Sequence, residues 1–300
     1  MRKLVLLALV GLAAQLVDGS LGMGYGVTSA TLLLAGGLGP AAASAAIHFA
    51  EIGTSLVSGA SHHALGNVDW RTVGLLAAPG FVGAFAGATL LAHADPTTAR
   101  VGVAVILLGL GTYVTWRFLV PQRLRFPGRP SARFLAPVGL VAGVLDAVGG
   151  GGWGPVGTTT MLSSGRLEPR KVVGSVDTAE FVVTVGASLG FLIALGTQGV
   201  NWAYAAALLV GGVVAAPLAA VVVRYLPARV LGVAAGGLIV LTNVKSLADA
   251  AGVPDVTTGL LASVTVTLWV LWISWAVKLD QAERDGGVAR PGDLVAAKIE

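Results

Sequence analysis

The 300-residue chain has no cysteine, only 11% charged residues and only 6% aromatics. Without cysteine there is no disulfide framework, no thiolate metal site and no cysteine nucleophile. A soluble globular domain carries roughly 25% charged residues, so this shortage excludes that class and points to a membrane protein. The remainder is apolar, 55% hydrophobic with mean hydropathy +0.83. Its 43 glycines lie inside apolar runs, where small residues let membrane helices approach closely. The net charge of +4 comes largely from loop arginines. It reads as an orientation signal, not as a nucleic-acid footprint.

One stretch organises the rest. Gly149-Gly150-Gly151-Gly152-Trp153-Gly154-Pro155 interrupts an apolar run from Phe134 to Leu162. Glycine is entropically costly in a helix and proline lacks the N–H, so the helix breaks there. Non-helical backbone at membrane depth is tolerated only where it is buried in protein or lines a cavity. A helix restarting after such a break offers free N–H groups that favour an anion. A weaker copy, Asp18-Gly19-Ser20-Leu21-Gly22-Met23-Gly24-Tyr25-Gly26, stands near the N-terminus. Two broken segments in corresponding places point to a transport site between repeats.

The order of motifs repeats. Asp146 answers Asp18, and Trp153-Gly154 answers Tyr25-Gly26, at a spacing of 128; Glu180 answers Glu51 at 129. The expected fold is an all-α polytopic membrane protein of two inverted repeats. Each repeat has a Gly-rich re-entrant segment and three transmembrane helices, and one extra C-terminal helix follows. Its divisions are a first repeat over 1–119, a basic cytoplasmic linker over 120–133, a second repeat over 134–248, the extra helix over 256–277 and a tail over 278–300. Helices are expected over Ala41–Ala60, Thr72–Ala92, Ala99–Leu119, Val172–Leu195, Trp202–Val223, Val230–Val244 and Val256–Val277. Arg2 and Lys3 before an apolar run resemble a signal peptide. The run is the counterpart of Phe134–Leu145, however, and is read as part of the mature protein.

Arg117, Arg123, Arg125, Arg129 and Arg133, with no acid among them, mark the cytoplasmic side. If the Gly149 segment dips in and returns, the basic groups near Arg166, Arg170, Arg224 and Lys278 fall on that side too. The Ser61–Arg71 loop joins them, and the N-terminus lies outside. Each half then crosses three times, so the halves are inverted. Parallel repeats whose broken segments cross fully are the alternative.

Polar residues inside the apolar runs are the candidates for function, since an ionisable group at membrane depth costs about 3 kcal/mol on insertion scales. His48 and Glu51 share a helix face with Ser44, Ser55 and Ser58; Asp177 and Glu180 share one with Thr184 and Ser188. Glu51 and Glu180 are read either as proton-coupling groups or as struts for the glycine loops. Asp18 and Asp146 precede those loops and can accept from their N–H groups as an N-cap does, with proton coupling as the alternative. His48 can be cationic or carry a proton, and is placed at the anion site. One histidine with three carboxylates could also bind a divalent cation. No second histidine occupies the Asp177 position, and no metal or cofactor is expected. Ser20 with His48 raises an intramembrane serine hydrolase. Its local sequence misses the first glycine of a Gly-x-Ser-x-Gly elbow, so no enzyme is expected. The glycine run lacks the Lys-Ser/Thr of a P-loop. His62 and His63, at a helix end, are read as surface residues.

Gly143-Val144-Leu145-Asp146-Ala147-Val148-Gly149-Gly150-Gly151-Gly152-Trp153-Gly154-Pro155, followed by Pro169-Arg170-Lys171-Val172-Val173-Gly174-Ser175-Val176, resembles the TauE/SafE sulfite exporter family. The resemblance covers about residues 11–245. The first repeat departs from the family's usual loop and helix start, with Gly22-Met23-Gly24-Tyr25-Gly26 and Ala45-Ala46-Ile47-His48. The resemblance implies membrane transport of small sulfur-containing anions such as sulfite or sulfoacetate-like sulfonates. The expected protein is a multi-pass exporter in the cell membrane. Its anion is expected at the midplane between the loops, held by Ser20, Gly22, Gly24, Thr28, Ser29, Gly150, Gly151, Gly152, Thr158, Thr159, Ser175 and Thr178, with His48 adding charge and Tyr25 and Trp153 forming walls. The expected partners are that anion and the lipid bilayer; oligomeric state is left open, a homodimer among the options.

Overall fold

A computed structural model describes residues 2–21, 23–120, 130–164, 166–167, 169–222 and 228–285. The first half contains α1 (Arg2–Leu21), α2 (Tyr25–Ala35), α3 (Pro40–Ala64), α4 (Trp70–His93) and α5 (Pro96–Leu119). The second contains α6 (Ala132–Gly149), a π-helical turn at Gly154–Thr158 running into α7 (Thr159–Ser164), α8 (Pro169–Leu195), α9 (Trp202–Val222) and α10 (Ala228–Ala250); α11 (Asp255–Asp285) comes last. Among the described residues, six helices are long and apolar enough to cross a membrane: α4, α5, α6, and most of α8, α10 and α11. The protein is an all-helical, multi-pass membrane protein.

Several helices outrun their apolar cores. α3 continues through His62 and His63 and α10 through Asp249, stopping only where Gly66 (φ 70°) and Gly252 (φ 66°) adopt the left-handed conformation that ends a helix. α5 starts at Pro96 because Asp95 accepts from the Thr98 N–H at 2.9 Å and proline suits the first helical position.

The halves interlock by exchange. α1 and α3 pack on α9, while α6 and α8 pack on α4. Of the remaining large contacts, two pair helices at matching places in the halves, α3 with α8 and α5 with α10, and a third packs α11 on α10. In the first of these, His48 meets Phe191, Gly59 meets Thr178 and His62 meets Asp177, so the helices run antiparallel. α5 and α10 are antiparallel as well, with Gly111 on Ile239, Thr115 on Gly236 and Phe118 on Gly232. Glycine makes these approaches possible: a Cβ on Gly83 would overlap the Leu140 backbone, and one on Gly143 the Gly80 carbonyl. α1 is held in the same way, with Gly11 against the Leu208 backbone and Ala14 fully buried.

The broken second segment doubles back. Arg166, just past α7, lies 5.2 Å above the ring of Phe134 at the start of α6. At that same end the Arg71 guanidinium donates to the Pro130 carbonyl at 3.0 Å, and the Asp69 N–H donates to Ser175 Oγ at 2.8 Å. The loop after α3, the start of α6 and the start of α8 are therefore gathered together. Arg123, Arg125, Arg129, Arg224 and the tail beyond 285 lie outside the described residues, as does the side chain of Arg170.

Candidate functional site

At the end of α6 the chain turns through Gly150, whose φ of 71° is open to glycine at little cost. Asp146, one turn earlier, organises the break. Its carboxylate Oδ1 accepts from the N–H groups of Gly152 at 2.9 Å and Trp153 at 3.0 Å, and its carbonyl accepts from Gly151 at 3.0 Å. In the first half Asp18 Oδ1 accepts from the Tyr25 N–H at 3.3 Å, beside Gly24 at φ 122°. Both aspartates satisfy the orphan donors of a helix restart. The N–H of Gly152, expected to face an anion, and that of Trp153, expected to form a wall, are thus both held by Asp146.

The two broken segments touch. A Cβ on Gly26 would meet the backbone of Gly150 and Gly151, and one on Gly151 would strike the backbone of Gly26 and Val27. In this conformation they leave no room for an anion between these glycines. Trp153 is buried, donates from Nε1 to the Val176 carbonyl at 2.9 Å, and fills the space over Gly80. Tyr25 donates from its hydroxyl to the Leu208 carbonyl at 3.1 Å. Of the expected hydroxyls, Thr159 donates to Pro155, Thr178 donates to Gly174 at 2.6 Å, and Ser175 accepts from Asp69. Thr158 is fully buried in the π-helical turn. Thr28 and Ser29, on the first turn of α2, are buried with hydroxyls that have no partner. Gly22 and the side chain of Ser20 lie outside the described residues.

His48 is fully buried and both ring nitrogens are engaged. Nδ1 lies 2.8 Å from the Ser44 carbonyl, which can only accept, so Nδ1 carries a hydrogen. Nε2 lies 3.1 Å from Asp146 Oδ2 and 4.0 Å from Glu51 Oε2. One proton is therefore shared along the His48–Asp146 line, tying α3 to the second broken segment. Ser44 completes the tie by donating to the Ala147 carbonyl at 2.6 Å.

Beside this knot lies a narrow, tightly closed cleft lined by Gln15, Asp18, Tyr25, Glu51, Thr54, Ser55, Ser58, Asp177 and Glu180. Four of these nine residues are acidic and none is basic. Glu51 is 2% exposed, and its Oε2 has no hydrogen-bond partner. Asp18, Asp177 and Glu180 bring one carboxylate oxygen each within 4.8 Å of one another, and His48, Glu51 and Asp146 form a second such group. These two groups are the residues that could hold a cation. Asp177 also accepts from the Ser58 hydroxyl and lies 3.7 Å from His62 Nε2.

The reading of His62 as a surface residue needs correcting. It is 24% exposed and turned inward against Asp177, whereas its neighbour His63 is exposed and stacks edgewise on Trp70. The signal was present in the spacing: Ser44, His48, Glu51, Ser55, Ser58 and His62 succeed one another at alternating steps of four and three, which is one helix face. The polar stripe simply runs one turn further than the apolar run does. Gln15, three residues before Asp18, and Thr54, three after Glu51 and four before Ser58, share the same helix faces and also line the pocket.

A family model described as "Sulfite exporter TauE/SafE" matches residues 7–246. The chain is 48% identical over 250 residues to a protein of Bacillus subtilis (strain 168) described as "Probable membrane transporter protein YtnM", covering 82% of this chain and 83% of that one. No solved structure matches.

Proposed function

The chain belongs to the TauE/SafE sulfite exporter family of membrane transporters, and from that premise we propose that it is a secondary exporter of small sulfur-containing anions such as sulfite or organosulfonates. The observation that carries the proposal is the pair of buried, partnerless hydroxyls of Thr28 and Ser29, directly after the first break. Buried donors of this kind are nearly always satisfied, and the oxygens of a sulfite or sulfonate would satisfy both. We place the cell membrane as its location, with the end that carries Arg71, Arg133 and Arg166 in the cytoplasm. The antiparallel crossings of α3 with α8 and α5 with α10 support inverted halves, since an axis in the membrane plane reverses equivalent helices. Rocking one half against the other would separate Gly26 from Gly150 and Gly151 and open the site to alternate sides.

One observation favours a second reading. A pocket with four carboxylates and no basic residue suits cation carriage by itself. Purified protein reconstituted in liposomes and loaded with radiolabelled sulfite, sulfoacetate or a divalent cation decides between them. Efflux of the sulfur anions supports the proposal. Cation flux with none of either anion overturns it.

A further inference from the structure

The pocket presents a charge problem. Asp18, Glu51, Asp146, Asp177 and Glu180 converge from α1, α3, α6 and α8, and among the described residues His48 and His62 are the basic groups paired with them. Along α4, on the far side of α8, the sequence places no ionisable residue between Arg71 and His93. Along α9, on the far side of α3, it places none but Tyr204 at the helix start. Five carboxylates against two imidazoles leave an excess of at least three negative charges at membrane depth, where each uncompensated charge costs kilocalories. An arriving anion would add to that excess.

We propose that the carboxylate pocket is a proton-loading site and that His62 passes protons between it and the protein surface. The proposal deepens the exporter reading by naming its coupling ion; its central measurement needs no anion. Glu51 Oε2, buried and without a hydrogen-bond partner, with His48 Nε2 4.0 Å away, is an acceptor open to a hydrogen. Asp18, Asp177 and Glu180 crowd one carboxylate oxygen each within 4.8 Å of the others, so a proton bound among them relieves their mutual repulsion. The two histidines divide the work by geometry. His48 is sealed, with both nitrogens held by Ser44 and Asp146. His62 is a quarter exposed, sits where α3 reaches the loop end, and has one nitrogen near Asp177 and no partner at Nδ1. In the loading step His62, protonated from water, gives the Nε2 proton to Asp177 Oδ2: the N–H bond breaks, an O–H bond forms, and neutral imidazole remains to be protonated again.

The test reads the pocket directly. Infrared spectra of the purified protein near neutral pH should show the C=O stretch of protonated carboxyl groups, reduced in Glu51→Gln and Glu180→Gln. On transfer to heavy water the band shifts as protons exchange. His62→Gln should slow that exchange on the order of a hundredfold, the low end of what a positioned acid–base group contributes. His62→Ala should be equally slow and be rescued by imidazole in the buffer, which a structural role would not allow; His63→Gln should match the wild type. No such band, or a band indifferent to the two glutamate variants, overturns the loading site. Unchanged exchange in either folded His62 variant overturns the relay. In liposomes, sulfite efflux without accompanying protons overturns the coupling. Proton exchange as expected with no sulfite movement counts against the exporter reading alone.

Discussion

Replacing Asp146 by alanine should damage the protein far more than replacing Asp18, although the two occupy matching places. Asp146 Oδ1 accepts two buried N–H groups at 2.9 and 3.0 Å, and Oδ2 holds His48. Hydrogen bonds to a charged group contribute about 1.5–3 kcal/mol each, so the two loop bonds together amount to roughly 3–6 kcal/mol. The orphaned donors of Gly152 and Trp153 have no water to turn to, because both residues are buried. Asp18 accepts only one N–H, at a longer 3.3 Å, and stands among other carboxylates. Its removal gives up one weak bond and relieves like-charge repulsion, leaving a net loss below about 1.5 kcal/mol. Denaturant unfolding in micelles, monitored by tryptophan fluorescence, measures both. Hydrogen exchange at the Gly152 and Trp153 amides reports whether Asp146→Ala also opens the loop locally. Equal destabilisation by the two variants, or amide protection that survives Asp146→Ala, would refute this account of the break.

Gly151→Ala should destabilise the junction of the halves and abolish transport, since its Cβ overlaps the backbone of Gly26 and Val27; Gly109→Ala, with open space around it, should be neutral or slightly stabilising by thermal unfolding. Single cysteines at Leu65 and Ser131 should both be shielded from an impermeant thiol reagent on intact cells while one at Gln198 reacts. Labelling of 65 and 131 from opposite sides would break the fold as described. Double-mutant analysis of His48→Gln with Asp146→Ala should give a coupling of roughly 1–3 kcal/mol; additivity would mean that their contact contributes nothing. At the membrane surface, hydrogen bonds from Thr98 hold the Asp95 carboxyl below its usual range. A lowered folded-state pKa gives stability that is present above the unfolded value and lost as pH falls through the folded one. Acid unfolding of Asp95→Asn should lack that component.

Local chemistry made much of the architecture legible. Hydropathy and the absence of charge identify a helical membrane protein, and Gly-Gly-Gly-Gly-Trp-Gly-Pro stops a helix wherever it stands. The aspartate before each loop could be read as a cap because capping needs only neighbouring backbone. The 128-residue offset between Asp18 and Asp146 points to a duplication without any knowledge of packing. The extents of α3 and α10 were less legible, because polar and largely exposed residues continue each helix past its apolar run until a left-handed glycine ends it. Function depends on what converges, and convergence is set by how helices cross. The crossing of α3 with α8 sets His62 on Asp177 while His48 lies against Phe191 on the same helix and reaches Asp146 on α6. Backbone contact between Gly26 and Gly151 closes the gap where an anion was expected, and the polar space appears beside it instead. The sequence alone determined which residues are polar within the membrane and where the helices break, because both depend on short stretches of chain. Only the tertiary structure decided which of those polar groups share a pocket and which are already satisfied, because that depends on contacts between helices 100 or more residues apart.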